Sequence, residues 1–69
     1  MMELKAIVSG YEAEFEQVAG GSWSATVPSL PTIATCGETL DETKAMVAEA
    51  IELWIEVAKE KGERIPAPS

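Results

Sequence analysis

An α+β domain, with a three-stranded antiparallel sheet packed against one long C-terminal helix (βββα), is the architecture this sequence predicts. Three observations point to it. Apolar and polar residues alternate from Leu4 to Val27, a Gly-Gly turn interrupts the alternation, and a helical period runs from Thr39 to Gly62 with capping residues at both ends. At 69 residues the chain is expected to be one domain, residues 1–69. A domain of this size buries only about 60% of the surface its unfolded chain exposes.

The first strand is expected over residues 3–18. Leu4, Ala6 and Val8 keep even parity and Tyr11, Ala13 and Phe15 keep odd parity, so the phase slips at Ser9-Gly10. A bulge at Gly10 inside one long strand is the economical reading, and two separate strands the competing one. In both, Glu12, Glu14 and Glu16 share the face opposite Tyr11, Ala13 and Phe15. That face must be solvated, because burying unpaired carboxylates costs on the order of several kcal/mol each.

Ala19-Gly20-Gly21 turns the chain into a second strand, 22–28. Trp23, Ala25 and Val27 point inward there and Ser24 and Thr26 outward. Pro28 and Pro31 forbid continued central pairing. The β-branched and small residues of 33–37 make a short third strand.

The helix is expected over 40–61. Thr39 with Glu42 is a capping box, Asp41 and Glu42 suit the positive end of the helix dipole, and Gly62 suits the left-handed position that ends a helix. On a wheel of roughly 100° per residue, Leu40, Val47, Ile51, Trp54 and Ala58 form one apolar stripe. Met46, Ala50, Leu53 and Val57 form a second. One stripe serves the core; the other is left for a second subunit. The tail, 62–69, is an extended arm, since its prolines cannot continue the helix.

Length makes the same point. About 22 helical residues span roughly 33 Å, whereas strands of about six residues span about 20 Å. The helix overhangs its sheet, and a homodimer or higher homo-oligomer through Met46, Leu53, Trp54 and Val57 would cover the excess. The alternative is a first strand long enough to lie beneath the whole helix.

Composition narrows the function. Twelve acidic and five basic side chains give a net charge of −7, which repels phosphate backbones and argues against direct nucleic-acid binding. The same surface would steer a basic protein partner. With no histidine and a single cysteine, Cys36, His-dependent nucleophile systems, the usual zinc site and an internal disulfide are excluded. Glu12, Glu14 and Glu16 are spread along a strand in steps of roughly 6.6 Å, unlike the carboxylates of a two-metal nuclease, which hold ions about 3.5–4 Å apart. No enzyme, metal or cofactor is therefore expected. No apolar run approaches the roughly 20 residues that span a bilayer, and the first residues lack signal-peptide features, so a cytoplasmic location is expected.

Particular residues also carry a family resemblance. Val27-Pro28-Ser29-Leu30-Pro31, then Gly37-Glu38-Thr39-Leu40-Asp41-Glu42, then Ala50-Ile51-Glu52-Leu53-Trp54-Ile55 and the ending Lys61-Gly62-Glu63-Arg64-Ile65-Pro66-Ala67-Pro68-Ser69 together resemble the HicB-like antitoxin family. The spacing matches without a gap from Val27 to Ser69. Ser29, Thr32-Ile33, Arg64 and Ala67 depart from the family's usual residues, and upstream of Gly20 only the pattern remains. The resemblance implies a partially degraded ribonuclease-H-like core that has lost its catalytic carboxylates. It also implies the role of antitoxin in a type II toxin-antitoxin system, binding and occluding a small basic RNA-cleaving toxin of the HicA type. Fuller members add a C-terminal DNA-binding domain, which this chain is expected to lack. Glu12, Glu14, Glu16, Glu52 and Glu56 are the expected toxin-binding residues. The competing expectation is an orphan homo-oligomeric regulatory or scaffolding module with no toxin.

Overall fold

The computed structural model describes residues 3–66. Four antiparallel strands form a meander in the order β1-β2-β3-β4, with β1 Glu3–Val8, β2 Tyr11–Gln17, β3 Trp23–Thr26 and β4 Ala34–Gly37. One helix, α1, follows over Leu40–Lys61 and packs on one face of the sheet, chiefly against β4 and β3. The α+β class and the C-terminal helix stand. The expected three-stranded sheet is corrected to four strands.

The correction lies at Ser9-Gly10. Both residues have positive φ, 50° and 88°, the signature of a two-residue type I′ hairpin turn, and Val8 pairs directly with Tyr11 across it. A bulge and a tight turn produce the same parity slip in a sequence. Here the turn folds residues 3–8 back on residues 11–16, so the first strand is two. Leu4, Ala6 and Val8 thereby lie opposite Phe15, Ala13 and Tyr11, and one apolar face results from two parities.

Strand β2 alternates as expected: Tyr11, Ala13 and Phe15 are buried, Glu14 and Glu16 exposed and Glu12 half-buried. β3 pairs only with the second half of β2, from Glu14 to Gln17. The β1–β2 hairpin therefore runs on beyond the two short strands. Its tip is buried at Tyr11, whose hydroxyl donates to the Pro66 carbonyl at 2.6 Å. The expected length mismatch is thus met in part by the chain itself: the long hairpin reaches the far end of the helix, and the tail closes over it. The tail residues after Pro66 lie outside the described residues.

Helix ends follow local chemistry. Thr39 Oγ1 accepts the Glu42 amide at 3.1 Å. At the other end Gly62 adopts φ 71°, and the Gly62 and Glu63 amides donate to the Lys59 and Ala58 carbonyls, which is the Schellman pattern. Gly37 is required for a different reason. A Cβ there would stand 2.7 Å from Thr43 Oγ1 and 3.2 Å from the Thr43 amide, so only glycine lets β4 pass this close to the helix.

The core joins Tyr11, Ala13, Phe15, Trp23, Ala25 and Val27 of the sheet side to Val47 and Ile51 of the helix. Two further members come from the loop between β3 and β4. Leu30 is fully buried and Ile33 nearly so, held by successive turns in which Leu30 donates to Val27 and Ile33 to Leu30, both at 2.9 Å. Pro28 and Pro31 flank this plug and rigidify it. Thr43 is the one buried polar residue of the described part; its hydroxyl donates to the Thr39 carbonyl at 2.7 Å.

Candidate functional site

Because α1 covers one face of the sheet, the other is bare. On it β1 presents Glu3, Lys5 and Ile7, β2 presents Glu16, Glu14 and Glu12 directly opposite them, and β3 adds Ser24 and Thr26. The expected strand carboxylates Glu12, Glu14 and Glu16 are thus brought together on one surface, and Glu3 joins them. Sequence reasoning missed Glu3 because it depends on the hairpin register: Glu3 faces Glu16 across the pair, and like charges directly opposed repel. On this face Lys5 Nζ lies 3.9 Å from Glu14 Oε2, an ion pair between two well-exposed side chains that contributes little. Ile7 is 60% exposed beside Glu12. An acidic row with one isolated apolar side chain in it can attract a cationic surface and seat an apolar contact.

The expected helix carboxylates do not join this row. Glu52 and Glu56 project from the side of α1 turned away from the sheet, where with Glu49 they surround Leu53 in a shallow recess of about 250 Å³. The molecule therefore has two acidic surfaces on opposite sides, and one small partner cannot lie flat on both.

Of the residues expected at an oligomer interface, Met46 is 36% and Leu53 60% exposed, and Val57 is half-buried. Trp54 is more engaged with its own chain. Its ring packs against the core and its indole Nε1 donates to Thr32 Oγ1 at 3.1 Å. Leu53, Trp54, Val57 and Ala50 line a groove of about 410 Å³ whose far wall is Thr32, Ile33 and Ala34, at the start of the edge strand β4. The groove is apolar and bears one base, Lys61, and one acid, Glu63.

Among the described residues, no three His, Cys, Asp or Glu side chains stand close enough to share a metal ion. Cys36 is exposed on β4. No described helix is long and apolar enough to cross a membrane. The distinctive surfaces of the described residues are thus the acidic sheet face and the apolar groove beside α1.

Residues 11–69 match the family model of the HicB-like antitoxin of bacterial toxin-antitoxin systems, so the chain belongs to that family. The match begins at Tyr11, the first residue of β2, and includes both the plug and the helix. No curated protein and no solved structure matches the chain. Membership of an antitoxin family points to a toxin partner and to a role without catalysis.

Proposed function

We propose that this protein is the antitoxin of a type II system that binds and occludes a small basic RNA-cleaving toxin of the HicA type. Residues 1–69 act as one HicB-like domain, in the cytoplasm and without chemistry of their own. The observation that carries the reading is the bare sheet face with Glu3, Glu12, Glu14 and Glu16 on it. A toxin that binds RNA needs a cationic surface, and an acidic sheet can cover that surface and exclude the substrate. Long-range attraction speeds the encounter, and the apolar contact at Ile7 slows release. The antiparallel meander leading into α1 supports the partially degraded ribonuclease-H-like description.

Co-expression with a small basic RNA-cleaving protein of the HicA type provides the test. The chain should co-purify with that protein and restore growth. Replacing Glu12, Glu14 and Glu16 together by lysine should abolish both effects, whereas Glu52→Lys with Glu56→Lys should leave rescue intact. Rescue lost only with the helix pair would move the toxin to the opposite side of the molecule. The exposure of Met46 and Leu53 favours one second reading, a homo-oligomeric module with no toxin. Neither co-purification nor rescue by the wild-type chain would leave that reading in place.

A further inference from the structure

The bare sheet face has a direction. Three cross-strand pairs follow one another along the β1–β2 hairpin: Glu3 with Glu16, Lys5 with Glu14 and Ile7 with Glu12. The Cβ atoms of such a pair stand about 5 Å apart, and the two end pairs lie about 14 Å from each other. At one end Glu3, Glu14 and Glu16, with Ser24 and Thr26 of β3, line a recess of about 160 Å³, roomy enough for the head of a cationic side chain. At the other end Ile7 stands out into solvent. Lys5 lies between them, its Nζ 3.9 Å from Glu14. Farther across the sheet the same face carries Ser24 and Thr26 with their partners Cys36 and Ala34, all small and uncharged. Charge and apolar relief are thus concentrated on the hairpin.

The two strands of that hairpin offer different chemistry. β2 presents only carboxylates here, Glu12, Glu14 and Glu16. An RNA strand also offers a row of anions, and a surface that holds phosphates without regard to sequence accepts either. β2 therefore attracts without discriminating. β1 presents what no RNA backbone has, an aliphatic side chain and an ammonium group. Resting on the reading that this face holds a basic RNA-cleaving protein, we propose that β1 is its selectivity strand, with Ile7 and Lys5 deciding which basic protein the carboxylates retain.

The two residues select in opposite ways. Ile7 contributes only where the partner has an apolar hollow to receive it; a partner bearing nothing but cations must desolvate one of them against an aliphatic side chain. Lys5 repels any cation set over the middle of the grid, and accepts a partner that places a carbonyl or carboxylate there. Selectivity is a difference of affinities, and a repulsive element serves it as well as an attractive one. The partner that fits carries cations facing the recess, a hydrogen-bond acceptor facing Lys5 and an apolar hollow facing Ile7. The fixed order of the three also sets the direction in which that partner lies along the hairpin.

Calorimetric titration of the full chain with two probes tests the inference. One probe is a HicA-type toxin that the wild type neutralises; the other is decalysine, a cation with no apolar hollow. Ile7→Thr, which keeps a β-branched residue in the strand, should weaken the toxin about tenfold and leave decalysine unchanged. Lys5→Gln should tighten decalysine about threefold and should not tighten the toxin, and the gain should shrink as salt is raised. Lys5→Arg keeps the charge and should behave as the wild type. Both sites are exposed, so the circular dichroism of every variant should match the wild type. A toxin-to-decalysine affinity ratio that is the same in the wild type, Ile7→Thr and Lys5→Gln overturns the inference alone, as does Lys5→Arg behaving like Lys5→Gln. A wild type that binds no HicA-type toxin overturns the reading beneath it, and the inference falls with that reading.

Discussion

Leu30→Ala tests whether the loop between β3 and β4 is part of the core. Leu30 is fully buried in a seven-residue connection from Val27 to Ile33, where ordinary loops run over the surface. Removing its side chain forfeits most of the roughly 1.5–3 kcal/mol that burial of a leucine contributes. A cavity term adds to this. The surrounding loop cannot easily collapse, because Pro28 and Pro31 flank it and two turn hydrogen bonds of 2.9 Å hold it. The total is about 3–4 kcal/mol, against a global stability of about 3–10 kcal/mol for a chain of this size. Urea unfolding at 25 °C and fixed protein concentration, followed by the fluorescence of Trp23 and Trp54, reads the difference. With a slope near about 1 kcal/mol/M, the midpoint should fall by about 3 M or the variant should be unfolded in water. Ile7→Ala removes a similar side chain from a site 60% exposed and should cost no more than about 0.5 kcal/mol. If both variants lose the same small amount, Leu30 is not a core residue and the account of this loop is wrong.

Three further outcomes are expected. Ser9 holds φ 50° in the type I′ turn, a conformation asparagine tolerates better than serine; Ser9→Asn should raise Tm by a few degrees in a thermal scan, and a decrease would count against the turn. Gly37→Ala forces a Cβ to within 2.7 Å of Thr43 Oγ1 and should cost about 1–3 kcal/mol, with a double-mutant cycle to Thr43→Ala recovering part of it. Tyr11→Phe removes the donor to Pro66, worth about 0.5–1.5 kcal/mol. The loosened tail should then be cleaved faster by trypsin after the exposed Arg64, and an unchanged rate would show that this hydrogen bond does not hold it.

The features legible in the sequence are those whose cause lies within a few residues. Thr39 and Glu42 mark the start of α1 because a side-chain oxygen three residues away satisfies a free amide, and Gly62 marks its end because φ 71° excludes most other residues. Parity along β2 assigns Glu12, Glu14 and Glu16 to one face wherever the strand lies in the sheet. Folding in three dimensions settled what depends on distant partners. Ser9-Gly10 became a turn because residues 3–8 pair with 11–16, and a phase slip alone cannot tell a turn from a bulge. That pairing set Glu3 against Glu16, and the choice of which sheet face α1 covers put Glu52 and Glu56 on the far side from the strand carboxylates. Burial of Leu30 has no local signature, since the loop's turns are polar and its prolines look like ordinary punctuation. Short-range hydrogen bonding and backbone sterics can be read from neighbouring letters; packing energy is a property of surfaces that meet only once the chain has closed on itself.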